Sequence, residues 1–323
     1  MNTLFPLSDH FDGKRFHNLN ERDFTVKGLF SVLKWKLGSK PKVWPQEKIQ
    51  DLATPLLFES FHGDELRVTF INHATLLIQW EGISILTDPV FSEKLGPLDL
   101  LNIKRYRNAG ISLEMLPRID YVFISHNHYD HLDLPSLKVL DYKDQPTYFT
   151  PLGVKSYLPS TIAARAIELD WWQVHTVGDL ELTVVPARHW SKRTATDTNA
   201  SLWSGVVFKA RGRSVFFAGD TGYSEHFKLI ENRTGTIDVA LLPIGAYEPR
   251  WFMKESHMNP DDAVMAHLDL KPKLSIAIHF GTFRLTDEAI EDPIKDLQVA
   301  LQKYGVNEHL FKVPKNGETF SIL

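Results

Sequence analysis

The sequence predicts an α/β sandwich whose sheet edge gathers a metal site. Three observations predict it. From Leu66 onward, short apolar and β-branched runs interleave with amphipathic helical stretches, the pattern of sheets carrying helices on their outer faces. Ser125-His-Asn-His-Tyr-Asp-His places His126, His128, Asp130 and His131 directly after one such run, Asp120-Tyr-Val-Phe-Ile. Three later candidate ligands, His189, Asp220 and His279, each follow another apolar run. Strand ends converging on one rim are how a sandwich builds a polynuclear site from distant parts of a chain.

Composition bounds the rest. The chain has 323 residues, 43% hydrophobic and 24% charged, enough for a large core in one domain or two fused halves. A net charge of −4 argues against a nucleic-acid partner. Cysteine is absent, which removes disulfides, thiolate catalysis and thiolate-bound zinc and leaves histidine and carboxylate as the strong ligands. Met1 to His10 lacks a basic start and apolar stretch of a signal peptide, and no apolar run approaches the length of a membrane span. The expectation is a cytoplasmic protein, soluble or bound to a membrane surface.

Taken in order, residues 1–58 form an N-terminal arm and residues 59–323 the main domain. Within the arm, Val26, Leu29, Phe30, Leu33 and Leu37 fall at helical spacing between Asp23 and Trp44, among Lys27, Lys34 and Lys36 and ahead of Lys40 and Lys42. Such a helix either lies on an anionic lipid surface, with Trp35 and Trp44 beside it, or packs its apolar face on the core or a second subunit. Strands are then expected at Arg67–Ile71, Thr75–Trp80 and Ile83–Thr87. A short helix follows the ligand motif at Leu134, with strands at Thr147–Thr150, Ala166–Leu169 and Leu182–Val185. Val206–Ala210 and Ser214–Ala218 form a hairpin about a glycine turn. Val239–Pro243 and Ser275–Ile278 are strands, Pro260–Leu270 is a helix with proline at its start, and Asp287–Lys303 is another.

The joint pattern carries a resemblance. H-x-H-x-D-H, then a single histidine, a Gly-Asp-Thr-Gly element and a last histidine after a strand resemble the metallo-β-lactamase superfamily. Its fold is an αββα sandwich with two metals at one sheet edge. Ser125-His-Asn-His-Tyr-Asp-His-Leu-Asp, Glu168-Leu-Asp-Trp-Trp, Arg188-His-Trp, Phe216-Phe-Ala-Gly-Asp-Thr-Gly-Tyr and Pro243-Ile-Gly-Ala-Tyr-Glu-Pro-Arg-Trp-Phe-Met-Lys resemble its N-acylphosphatidylethanolamine-hydrolysing phospholipase D branch. The likeness runs from about Leu66 to the C-terminus.

The resemblance implies one metal held by His126, His128 and His189, a second by Asp130, His131 and His279, and Asp220 bridging them. Two zinc ions suit these ligands, and iron or manganese fits the same set. It implies a hydroxide between the metals attacking phosphorus in line, with Asp220 and Asp130 orienting it. His257 is then expected to contact the phosphate or supply a proton to the leaving group, the alternative being a role at the start of the following helix. Tyr129 would line the lipid pocket. Lys192 and Arg193 would attract an anionic head group or form a solvated pair. Asp88 would accept from a ligand histidine, and His73 would be structural or stand behind the ligands. His10, His17, His62, His175, His226, His267 and His309 have no ligand context.

Three functions follow as expectations. The first is hydrolysis of a phospholipid phosphodiester, releasing phosphatidate and an N-acylethanolamine at a membrane surface. The second keeps the dinuclear site but acts on a soluble phosphodiester or lactone. The third is a non-catalytic lipid-binding protein, which has no use for seven ligands. A β-lactamase is disfavoured by the missing cysteine and a transfer-RNA nuclease by the acidic balance. The resemblance also suggests a homodimer, which no residue by itself demonstrates.

Overall fold

The apolar runs after Leu66 resolve into two seven-stranded sheets in the computed structural model, which describes residues 5–20, 26–56, 64–80, 82–96 and 103–323. The 58/59 boundary, Asp23 and His62 lie outside the described residues. One sheet contains β1 (Leu66–Asn72), β2 (Thr75–Trp80), β3 (Ile83–Thr87), β6 (Tyr121–Phe123), β7 (Thr147–Pro151), β8 (Ala166–Leu169) and β16 (Thr319–Ile322). Its order is β16-β1-β2-β3-β6-β7-β8, antiparallel as far as β3 and parallel beyond. A short pair, β4 (Lys94–Leu95) with β5 (Ile103–Lys104), stands apart.

The other sheet contains β9 (Val174–Val177), β10 (Leu180–Val185), β11 (Gly205–Ala210), β12 (Arg213–Phe217), β13 (Val239–Pro243), β14 (Leu274–Ile278) and β15 (Phe311–Lys312). It runs antiparallel from β9 to β12 and parallel from β12 to β15. Parallel neighbours need long connections, and helices supply them. They are α2 (Leu134–Asp144) and α3 (Ser160–Ala163) on the first sheet. On the second they are α4 (His226–Thr234), α5 (Arg250–Met253), α6 (Pro260–Leu270) and α7 (Asp292–Tyr304).

Alternation sorts the side chains. On β2, Leu76, Ile78 and Trp80 enter the core between the sheets with Phe70, Phe123, Phe208 and Phe217, while Leu77 joins Leu86, Val122, Leu137 and Leu140 beneath α2. Both faces of β1 and β2 are therefore buried. Local chemistry fixes the helix ends. α6 begins at a capping box in which Asn259 accepts from the Asp262 N–H, with Pro260 in its first turn. α7 starts at Asp292 rather than at the expected Asp287, because Pro293 suits the first turn and has no N–H to offer further in.

The arm differs from the expected packing on the core. α1 spans only Leu29–Gly38, and three residues of its apolar stripe do not pack there: Phe30 and Leu37 are each 80% exposed and Leu33 52%. The tryptophans do the packing instead. Trp35 Nε1–H donates to Asp287 Oδ2 at 2.7 Å and its ring leans on Phe252, while Trp44 Nε1–H donates to Glu288 O at 2.8 Å. Each indole buries its ring and still satisfies its one donor.

Candidate metal centre

Four chain segments meet at one sheet edge. The loop after β6 carries His126 to His131, and β10, β12 and β14 run in the same direction and lead to His189, Asp220 and His279. Close approach of the loops requires glycine at one point. Gly219 has φ +61°, and a Cβ there would lie 2.9 Å from Ser125 Cβ and 3.0 Å from Ser204 O. Three non-glycine residues of the site, His73, Asp88 and His279, also hold positive φ. Strain of this kind persists only where surrounding contacts over-determine the backbone.

The side chains form two groups joined by Asp220. In the first, His128 Nδ1 lies 2.8 Å from His126 Nε2 and 3.2 Å from His189 Nε2. In the second, Asp130 Oδ2 lies 3.5 Å from His131 Nε2 and 3.3 Å from His279 Nε2. Asp220 reaches both: Oδ2 is 3.2 Å from His131 Nε2 and 3.8 Å from His189 Nε2, and Oδ1 is 3.1 Å from His279 Nε2. Ligand atoms around a tetrahedral cation with bonds of 2.0–2.1 Å stand roughly 3.3 Å apart, so these separations suit shared cations. Buried His131 Nε2, His279 Nε2 and Asp220 Oδ1 make no hydrogen bond among the described residues despite this proximity. They converge on common points rather than on one another. The donor set fits two divalent cations.

Two of the outward ring nitrogens are tied down, which leaves the inward nitrogens of those rings free to ligate. His131 Nδ1–H donates to Asp88 Oδ2 at 2.6 Å, and His189 Nδ1–H donates to Ser256 O at 2.9 Å. Asp88 also accepts the Ser125 N–H at 2.7 Å and its hydroxyl at 2.6 Å. Burial, reinforced by neighbouring imidazoles, holds His126 well below the usual histidine value. Burial likewise lowers His189 far and His128 to about 4, so all three stay in the neutral, ligating form. In the second group burial opposes charge, but the carboxylates outweigh it: Asp220 and Asp130 push His131 well up and His279 to about 9. Those imidazoles in turn hold Asp130 and Asp220 well below the usual carboxylate range against their burial. The carboxylates draw positive charge to this point, and a dication answers the same demand.

The other expected residues divide. Asp88 stands behind His131. His73 comes nearer than expected, its Nε2 only 3.1 Å from Asp130 Oδ2. His257 faces the cavity with Nδ1 3.9 Å from Asp220 Oδ2, and burial lowers it to about 4. Tyr129 lines the cavity too, its hydroxyl donating to Arg193 O at 2.9 Å. Arg193 itself is a correction. Its Nη1 donates to Asn127 O at 3.0 Å and Leu132 O at 2.9 Å, and its guanidinium lies 4.1 Å from the Tyr129 ring centre. It clamps the two ends of the ligand loop and is not presented to a head group. Lys192 is half-buried and is not part of the cavity lining.

The cavity above the ligands measures about 820 Å³. His128, Asp130, Asp220 and His257 lie at its polar end, and Trp35, Leu95, Ile103, Phe252, Met253 and Leu285 supply apolar wall. Sequence reasoning missed Trp190, whose ring stands edge-on to His128 at 4.6 Å, and the Arg188–Glu255 ion pair at the rim. In the sequence, Arg188-His-Trp carries a signal for its histidine and none for the roles of its two neighbours.

Comparison with known proteins agrees with this geometry. The family model of the β-lactamase superfamily domain matches residues 84–280. An N-acyl-phosphatidylethanolamine-hydrolyzing phospholipase D of Caenorhabditis elegans is 35% identical over 314 residues, covering 90% of this chain and 88% of that protein. The mitochondrial enzyme of the same name from Saccharomyces cerevisiae is 34% identical over 285 residues, covering 84% of this chain and 59% of that protein. Among solved structures, a metallo hydrolase from Ignicoccus hospitalis superposes with a TM-score of 0.59 at 21% identity, over 80% of this chain and 99% of that one. At that identity the likeness establishes the fold.

Proposed function

The chain belongs to the β-lactamase superfamily and is a metallo-hydrolase homologous to the phospholipases D named above, and we propose that it hydrolyses the phosphodiester of an N-acylphosphatidylethanolamine using two zinc ions. One observation carries this reading. A complete two-group ligand set forms the polar end of a cavity whose remaining wall is largely apolar. A soluble phosphodiester or lactone would need a narrow hydrophilic pocket, and a lipid-binding protein would need no such ligand set.

His126, His128 and His189 would hold one cation, Asp130, His131 and His279 the other, and Asp220 would serve both. When bound, the cations supply a water nucleophile at neutral pH and neutralise charge on the phosphate. The protein's own groups do the rest. Asp88 and Ser256 keep two ligand imidazoles in the ligating tautomer, Asp220 orients the attacking water, and the apolar wall holds the lipid chains and excludes bulk solvent. Oxygen from water bonds to phosphorus while the bond to the N-acylethanolamine oxygen breaks. The leaving oxygen takes up a proton, and His257, at the mouth of the site beside Asp220, is placed to hydrogen-bond it or the phosphate. The products are phosphatidate and N-acylethanolamine.

Substrate of this kind is met at a membrane surface, and α1 is the docking element in this reading. Phe30, Leu33 and Leu37 face outward, while Val26, Val32 and Trp35 of the same segment line the cavity. Exposed Lys34, Lys36 and Lys40 add attraction to anionic lipid.

The test is product analysis by mass spectrometry on N-acylphosphatidylethanolamine in mixed micelles. Metal-loaded protein should release both products, and Asp220→Asn or a chelated sample neither. No release from protein carrying two metals per chain would discard the lipid substrate.

A further inference from the structure

We infer that Asn18, in the N-terminal arm, is a positioning residue of the metal centre, and that residues 5–20 form part of the site. The inference rests on His189 being a metal ligand. His189 is anchored at two places. Its ring is set by the Nδ1–H bond to Ser256 O, and its backbone by Asn18, whose Oδ1 accepts the buried His189 N–H at 3.0 Å. The same oxygen accepts Trp203 Nε1–H at 3.0 Å. Asn18 is only 1% exposed, and its Nδ2 donates to nothing among the described residues. The amide is therefore there for its oxygen.

The rest of the segment holds that oxygen in place. His10 Nε2 lies 2.7 Å from Asp170 Oδ1, and its ring stacks on Trp171 at 4.4 Å. Phe16 is fully buried against Phe11, and its N–H donates to Asn199 O at 2.9 Å. Arg15 Nη2 donates to Thr196 O at 2.9 Å. Apart from Phe11, which belongs to the strap, these partners lie on the β8–β9 connection (Asp170, Trp171) or the β10–β11 connection (Thr196, Asn199), the second of which carries His189. The strap and the ligand loop thus form one unit. Without the Asn18 oxygen, the buried His189 N–H has no partner and its backbone must shift to find water. His189 Nε2, only 3.2 Å from His128 Nδ1, would shift with it.

The test is metal retention in the full chain, read as metals per chain across a chelator titration, with a thermal melt beside it. Outer contacts of this type change metal affinity by roughly 10–100-fold. Asn18→Ala should lose one of two metals at roughly 10–100-fold lower chelator concentration. Asn18→Asp keeps an acceptor oxygen for the His189 N–H, so it should retain the metal better than the alanine variant despite the charge it buries. An alanine variant that retains both metals like wild type overturns the inference, and so does an aspartate variant as weak as alanine. Should the alanine variant not fold, Asn18→Gln displaces the oxygen by one methylene and keeps the amide; wild-type retention there overturns it equally. Wild-type protein that binds no metal through His126, His128 and His189 would instead defeat the site assignment itself.

Discussion

Asp88→Asn separates orientation of a ligand from ligation. Asp88 is fully buried and answers three donors: Oδ1 takes the Ser125 N–H, and Oδ2 takes the Ser125 hydroxyl and His131 Nδ1–H. Asparagine has one oxygen. Placed at the Oδ2 position, it would turn its NH₂ toward the Ser125 N–H, donor against donor at 2.7 Å. Placed at the Oδ1 position, it satisfies that N–H, and its NH₂ meets two groups that can adapt. Ser125 Oγ can rotate to accept, and His131 can move its proton to Nε2 and accept at Nδ1. The second arrangement keeps every buried group paired but puts a proton where a metal must bind. Affinity at the His131 position should fall roughly 10–100-fold, or about 1.4–2.8 kcal/mol, while the metal-free fold melts near the wild-type temperature. The assay is metals per chain after dialysis against graded chelator, with activity restored at excess metal. An Asp88→Asn protein that keeps both metals at wild-type chelator concentrations would refute the tautomer argument.

Three other outcomes are expected. Phe30→Glu with Leu33→Glu should leave the melt unchanged, because both side chains are exposed, yet weaken sedimentation with anionic liposomes by roughly tenfold or more; unchanged sedimentation removes α1 as the docking element. Arg193→Lys ends one atom short of the Nη1 position that serves both loop carbonyls and loses the planar stack on Tyr129, so it should cost roughly 1–3 kcal/mol in the melt with a KM that does not respond to salt; a salt-dependent rise in KM alone would return Arg193 to the head group. Burial works against protonated His10, but hydrogen bonds and charge from Asp170 and Asp9 outweigh it and raise the imidazole above its usual 6.5. A raised value in the folded state stabilises at pH below 6.5, and that contribution is lost as pH climbs through the folded value. Asp170→Asn should flatten this part of the stability profile measured by denaturant melts, and an unaltered profile would show that His10 does not supply it.

What was legible in the sequence follows from how each role is encoded. The candidate metal cluster is legible because residue type and strand-end position together nearly specify it: His126, His128, Asp130, His131, His189, Asp220 and His279 all follow apolar runs that became β6, β10, β12 and β14, and the fold brings them together. Helix α6 was legible to the residue because Asn259, Pro260 and Asp262 write its start locally. Arg193 was misread because a guanidinium beside a ligand looks the same whether it meets phosphate or two carbonyls, and only the fold of the loop decides. Asn18 carried no signal at all. Its partner is the backbone N–H of a residue 171 positions away, and a main-chain donor leaves no trace in side-chain pattern. β9 and α4 went unnoticed for a related reason. Val174–Val177 is half exposed at the sheet end, and α4 begins with no side-chain cap to announce it.

The N-terminal arm touches the candidate metal centre, the cavity wall and the solvent at once. Asn18 holds a ligand backbone, Val26, Val32 and Trp35 wall the cavity, and Phe30, Leu33 and Leu37 project outward. On the docking reading the outward face sets how long each visit to a membrane lasts. Three large apolar side chains, already partly covered, supply on the order of 4–6 kcal/mol on insertion. That is about the strength of a single acyl anchor, which binds membranes marginally and reversibly. An enzyme that leaves one product in the bilayer and releases another gains from such a hold, since tighter anchoring would confine it to spent surface. Lys34 and Lys36 add a further salt-sensitive increment of about 1 kcal/mol each near anionic lipid. Docking strength should therefore fall with ionic strength by a measurable factor without vanishing, and liposome sedimentation at two salt concentrations reads it. Binding abolished by salt would assign the hold to the lysines alone and leave the apolar face of α1 without this role.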